Sequence, residues 1–197
     1  MDSCRGELTR AEAAGLLSSN PEVLRETSIL RIFLISGCPW IGTGKEPGWE
    51  AAFQKLGALV GDWEGHYEWT GGRPGGDLKA SYYLTGNSSA VVENLIMGGV
   101  PSMTTVYHLD NGDLRATHFC AAKNQPRLKA SKIDPAKGKF EFAFVDVTNV
   151  PSFAAPFVNG LDVQLLDNDH LELTFHFESA GKKSDEHITL RRVSAKG

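Results

Sequence analysis

From residue 61 onward the chain alternates apolar and polar positions with a period of two. In "DWEGHYEWT" Trp63, Gly65, Tyr67 and Trp69 share one face, and Glu64, His66 and Glu68 share the other, as a half-buried strand requires. Similar runs follow at intervals of about ten residues, over 77–85, 90–97, 102–109, 113–121, 126–133, 139–146, 161–167, 170–179 and 185–193. Turn-forming stretches separate them: "GGRPGG" at 71–76, "DNGD" at 110–113, "DPAKGK" at 134–139, "DND" at 167–169 and "SAGKKS" at 179–184. Many strands of even spacing joined by short turns predict an all-β chain, an antiparallel barrel or a sandwich. A closed barrel removes the exposed edges, so an up-and-down barrel of about ten strands is the expected architecture.

Ahead of residue 61 the period changes. "WEAAFQKLGALV", residues 49–60, carries Trp49, Ala52, Phe53, Leu56 and Val60 at helical spacing and predicts a short helix. The expected organisation is an irregular N-terminal extension and linker over 1–48, followed by a barrel domain over 49–197. Within the extension, Ile32–Ile35 followed by Ser36-Gly37-Cys38 resembles the lipobox of bacterial lipoproteins. Arg31 interrupts the apolar run, leaving less than the roughly 7–15 residues of a signal core. The cytoplasm is therefore favoured over export through the segment ending at Cys38. No stretch reaches the roughly 18–20 apolar residues of a membrane-spanning helix.

Composition narrows the function classes. The 197 residues are 41% hydrophobic and 22% charged with a formal net charge of −4, ordinary values for a globular chain and without the basic footprint of a nucleic-acid binder. The three cysteines, Cys4, Cys38 and Cys120, are widely spaced and make neither a disulfide framework nor a zinc motif. No HExxH, GxSxG or phosphate loop occurs.

The chemistry-bearing stretch is "THFCAAKNQPRLKA", residues 117–130. On a strand His118 and Cys120 share a face with Leu114 and Ala116, while Arg115 and Phe119 take the other. If the Leu114 face is inward, His118 and Cys120 line the interior. On the preceding strand Tyr107 shares a face with Met103 and Leu109, with His108 opposite. Asn124, Gln125 and Arg127 follow at the next turn. Tyr107, His118, Cys120, Asn124, Gln125 and Arg127 are thus candidate ligand-binding residues, a few polar groups around an apolar cavity. The structural alternative is that His118 is satisfied by a carboxylate such as Glu93 or by a carbonyl, and that the amides bond the backbone near the turn. No catalytic residue is assigned, because Cys120 has no third group to orient a His118 base. A metal site from His118, Cys120 and His108 fails on the facing of His108. Phe140, Phe142, Phe144, Phe175 and Phe177 alternate as core residues do. The interruption at 147–160, with Phe153, Phe157 and Val158 between prolines, is either a flap over a barrel mouth or an irregular crossover.

Gly61-Asp62-Trp63 on the first strand and Arg191-Arg192 on the last resemble the calycin pattern of lipocalins and their relatives. That resemblance implies a calycin-like barrel in which an arginine covers the tryptophan and closes one end, assigned here to Trp63 and Arg191. "TVYHLDNGDLRATHFCAAKNQPRL" is similar to uncharacterised bacterial calycin-like domains, over roughly residues 50–193. Gly61, Trp63 and Gly65, with His187-Ile188 on the last strand, also resemble the nitrobindin-like barrels, which would imply heme held by His187. The bulk of His66, Tyr67 and Trp69 departs from that pattern. The leading expectation is non-enzymatic binding of a small, largely apolar molecule. The alternatives are a heme barrel acting on nitrogen oxide or peroxide species, and a filled barrel serving as an interaction module. A homodimer is left open.

Overall fold

The structure, a computed structural model, describes residues 48–152 and 154–193. The lipobox-like segment ending at Cys38, nearly all of the expected extension, and Phe153 lie outside the described residues. Among the described residues one helix, α1 (Trp49–Gly57), precedes ten strands: β1 (Gly61–Trp69), β2 (Gly76–Thr85), β3 (Ala90–Met97), β4 (Val100–Asp110), β5 (Asp113–Phe119), β6 (Gln125–Asp134), β7 (Lys139–Thr148), β8 (Phe157–Leu165), β9 (His170–Ser179) and β10 (Lys182–Arg192). Each strand pairs antiparallel with its neighbour in sequence, and β1 pairs with β10 to close the barrel. The expected all-β class, the ten strands and the short preceding helix are all present.

Inward positions follow the alternation. Leu114, Ala116 and His118 of β5, Met103, Thr105 and Tyr107 of β4, and Phe140 and Phe142 of β7 are buried. So are Leu171, Leu173, Phe175 and Phe177 of β9. Each such apolar side chain contributes roughly 1.5–3 kcal/mol on burial, so this interior is the main source of stability. Trp63, Tyr107, Phe140 and Phe175 are the bulkiest of the fully buried side chains that fill the interior.

One end is sealed by α1. Ala52, Phe53 and Leu56 form its buried face, with Glu50 in the first turn and Lys55 in the last, each placed favourably for the helix dipole. The helix packs on β4, β5 and β6. Val60, expected on the helical face, lies beyond the helix and is exposed. Leu59 is buried in its place, and its carbonyl accepts the indole N–H of Trp63 at 2.9 Å. The arginine over Trp63 is Arg192, not Arg191: its guanidinium carbon lies 4.3 Å from the ring centroid. Ile188 and Leu190 point inward, so alternation carries Arg192 to the indole and turns Arg191 outward onto Glu64.

Two further differences have local causes. β8 starts at Phe157 rather than 161: the ladder with β9 continues past a register shift between Val158 and Gly160, and both Phe157 and Val158 are buried. The long interruption therefore shrinks to the link between Thr148 and Phe157. β5 stops at Phe119, and Cys120 enters a tight turn in which its N–H donates to the Asn124 carbonyl at 3.0 Å. At Gly65 the backbone of β10 passes so close that an added Cβ would lie 1.8 Å from the Thr189 carbonyl oxygen. No helix among the described residues is long and apolar enough to cross a membrane.

Candidate functional site

The barrel holds two separate sets of polar side chains. The first is a sealed cluster in the core. Glu93 of β3 is fully buried and accepts hydrogen bonds from the hydroxyls of Tyr82 (2.8 Å), Tyr107 (3.0 Å) and Thr105 (2.9 Å). Thr105 Oγ1 also lies 2.9 Å from His118 Nδ1. A hydroxyl has one proton, and Thr105 gives it to Glu93, so His118 Nδ1 is the donor in the second contact. His118 Nε2 then carries a lone pair and, though buried, has no hydrogen-bond partner. Burial pushes the imidazole down to about 3, which keeps it neutral at physiological pH. Burial also raises the Glu93 carboxyl, against the lowering effect of its three donors. The same burial, with Glu93 alongside, raises both tyrosines. His118 is thus tied into the cluster through Nδ1 and Thr105, and its ring lies tilted against Phe175 with centroids 4.8 Å apart.

The second set lies at the end of the barrel opposite α1. A cavity of about 320 Å³ opens there between the ends of β1, β3, β4, β9 and β10. Its walls are largely apolar: Trp69, Met97, Met103 and Phe177, with Pro156 from the β7–β8 connection and Cys120 from the β5–β6 turn. The Trp69 and Phe177 rings stand 5.0 Å apart. Arg73, in the β1–β2 loop, lies on Trp69 at 3.4 Å and donates to Ser184 Oγ at 3.1 Å. Glu186 of β10 lines the same cavity, is 2% exposed, and its Oε2 has no hydrogen-bond partner. Burial pushes its carboxyl up to about 7, with Arg73 opposing weakly. A buried carboxyl oxygen without a donor is costly in a folded protein and marks a place where a donor is wanted.

Sequence reading did not single out Glu186. The signal was present: from inward Leu190 and Ile188, alternation reaches Glu186 in the same step that turns His187 outward.

The six residues expected to form the site fall into different surroundings. Tyr107 and His118 belong to the sealed cluster and do not line the cavity. Cys120 does line it; its thiol is pushed up by burial and accepts from the Ala122 N–H at 3.4 Å. Asn124 is buried and ties the β5–β6 turn to the β7–β8 connection, donating to the Pro156 carbonyl at 2.8 Å. Gln125 accepts from Thr148 Oγ1 at 2.8 Å, and Arg127 faces outward in an ion pair with Asp146. The β7–β8 connection, held by Asn124 and by Ser179 donating to the Ala154 carbonyl at 2.9 Å, contributes to the mouth as a flap would.

His187 is exposed on the outer face of β10, 3.1 Å from Thr174 Oγ1. It points away from the interior, and the inner space beside Trp63 is filled, so these residues do not fit a heme ligated by His187.

A larger concavity of about 730 Å³ runs over β1, β2 and β10. Along it Glu64 partners Arg191, His66 partners Asp77, and His170 partners Asp167. The smaller mouth cavity, which shelters an unpartnered group, is the stronger candidate.

No family model matches the chain, and no curated protein matches it. Among solved structures it is similar to Rv2717c from M. tuberculosis, at 15% identity over 72% of this chain and 97% of that one, with a TM-score of 0.45. It is also similar to a DUF3598-family protein of unknown function from Nostoc punctiforme, at 12% identity over 70% of this chain and 49% of that one, with a TM-score of 0.44. A third is EF1p2_mFAP2b, bound to DFHBI, at 12% identity over 73% and 98% of the two chains, with a TM-score of 0.30.

Proposed function

We propose that the protein binds a small, largely apolar molecule at the open end of its barrel, without transforming it. The observation that carries this is the mouth cavity itself: about 320 Å³ walled by Trp69, Met97, Met103 and Phe177. That volume is at the lower end of the roughly 300–1,000 Å³ usual for ligand pockets, which favours a compact ligand. Cys120 contributes to the lining. The polar anchor is Glu186, in place of the His118, Tyr107 and Arg127 expected from sequence. Binding is preferred to catalysis because the Cys120 thiol is held protonated by burial, with His118 engaged elsewhere through Thr105.

Titration with N-phenyl-1-naphthylamine, a compact uncharged fluorophore that brightens in apolar surroundings, tests the reading. Saturable one-to-one enhancement is expected. It should be lost in Ala122→Trp, which places a bulky ring at the cavity mouth from an exposed position. Circular dichroism of this variant is the control for its folding. Absence of saturable enhancement in the unaltered protein, or full binding by Ala122→Trp, overturns the reading.

A further inference from the structure

We infer that the ligand carries a protonated amine, whose ammonium group is received by Glu186 at the inner side of the mouth cavity. The inference rests on the binding reading above and adds the chemical class of the ligand.

The argument begins with the orphaned atom. Glu186 Oε2 is buried, has no partner within the protein, and belongs to a side chain that lines the cavity. Among the described residues, the other charged side chain at this mouth is Arg73, and it is committed elsewhere. Its guanidinium lies 3.4 Å from the Trp69 ring centroid and bonds Ser184. Glu186 therefore stays open to a donor arriving with the ligand. Folding has already removed its carboxyl from water, so the partner gains from an interaction whose desolvation has largely been met on the protein side.

The rest of the lining selects the donor. Trp69 and Phe177 present ring surface and Met97 and Met103 present polarizable sulfur, all of which tolerate or attract a cation next to apolar bulk. An anion would meet Glu186 and be repelled. A divalent metal would need several carboxylates or imidazoles, and no such group occurs among the described residues. A planar guanidinium wants two acceptors in a fork, whereas an ammonium is a compact point donor suited to a single unpartnered carboxyl oxygen. The matching ligand is a lipophilic primary or secondary amine: apolar body against Trp69, Met97, Met103 and Phe177, ammonium at Glu186.

Proton linkage gives a signature that packing alone would not. The titratable groups facing Glu186 are Arg73 from the β1–β2 loop, Cys120 from the β5–β6 turn and Tyr67 from β1. From β9 it meets Phe175 and Phe177, which do not titrate. Glu186 holds its proton up to about pH 7. An alkylamine stays protonated to near the lysine value of about 10.4. Amine affinity should rise as pH climbs from 5.5 to 8, while affinity for a neutral molecule of the same shape should not.

The experiment displaces N-phenyl-1-naphthylamine with 2-phenylethylamine and with 2-phenylethanol, which differ in the terminal group alone. At pH 8 the amine should displace the probe at a concentration about tenfold or more below the alcohol. That advantage should shrink at pH 5.5 and collapse in Glu186→Gln, which keeps shape and removes charge. The pH series on the unaltered protein serves as a second readout should Glu186→Gln fail to fold. Equal displacement by the two compounds, or an advantage that survives in Glu186→Gln or is independent of pH, overturns the inference. If the probe binds and the amine has no advantage, this inference alone fails; if the probe never binds, the binding reading fails with it.

Discussion

The guanidinium of Arg192 lies over the indole of Trp63, 4.3 Å from the ring centroid. It also donates to the carbonyls of Ala58, Val60 and Asn168, at 2.9, 2.8 and 2.9 Å. One side chain thereby joins the α1–β1 linker, the first strand and the β8–β9 turn. Arg192→Ala removes the cation–π contact and leaves three carbonyls to water, and should cost on the order of 2 kcal/mol. Arg191→Ala breaks only an exposed pair with Glu64 and should move the melting temperature by no more than about 2 °C. Thermal denaturation of the two variants makes the comparison; equal effects would mean that Trp63 needs no cover.

The core cluster should respond unevenly to loss of its hydroxyls. Thr105→Val keeps the shape but strips partners from both Glu93 Oε1 and His118 Nδ1. Two buried polar atoms left unpaired should cost roughly 2–4 kcal/mol. Tyr82→Phe removes one of two donors to Glu93 Oε2, and Tyr107 remains, so about 1 kcal/mol is expected. Urea midpoints for the two variants in parallel would show the order; a milder Thr105→Val would show that the cluster does not depend on that hydroxyl.

Acid and base should act on the fold with opposite signs through two buried groups. His118 takes a proton near 6.5 when unfolded and only near 3 when folded, so its stability contribution is complete above pH 6.5 and falls as pH drops toward 3. Glu186 releases its proton near 4.5 when unfolded and near 7 when folded, so its contribution is complete below pH 4.5 and is lost as pH rises to 7. Glu93, also raised, has the sign of Glu186. Relative to the unaltered protein, His118→Leu should gain stability as pH falls from 6.5. Glu186→Gln should gain it as pH rises from 4.5, each by up to about 1.4 kcal/mol per pH unit. Denaturant curves at pH 4, 5.5 and 7 would measure this; parallel profiles in all three proteins would contradict it.

Gly65 is required by a close approach of two strands. Its missing Cβ would lie 1.8 Å from the Thr189 carbonyl oxygen, a contact with backbone that no rotamer relieves. Gly65→Ala should force β1 and β10 apart and cost at least about 2 kcal/mol. Amide exchange would locate the damage at the β1–β10 ladder; protection there equal to that of the unaltered protein would show that the ladder absorbs the methyl group.

Alternation carried most of the architecture because a barrel wall is buried on one side and wetted on the other along every strand. Phe140, Phe142, Phe175, Phe177 and Leu114 lie where a period of two puts them. Expectation and structure part where that period breaks or where two neighbouring residues carry similar chemistry on opposite faces. The bulge near Asn159 moves the start of β8 forward by four residues, from 161 to 157. Arg191 and Arg192 differ by one position and so by a whole face. Glu186, not its neighbour His187, faces inward, on the parity that Ile188 and Leu190 set. Whether His118 would meet a ligand or a protein group depended on Thr105, one strand across and 13 residues away, a distance that pattern along the chain does not encode.

The barrel closes through the pairing of β1 with β10, and Gly61 and Arg192 stand at the same end of that seam. The Val193 N–H donates to the Asp62 carbonyl at 2.8 Å there. A pull applied to residues 61 and 192 would load the first rung of this ladder alone and open it like a zip, one hydrogen bond after another, from Trp63–Arg192 toward Trp69–Glu186. The molecule should thus yield to tension at a force far below that of a barrel whose ends are drawn apart in shear. The last rung to part on that path is the one beside the mouth cavity, so an amine held by Glu186 would stiffen the final step and leave the first untouched.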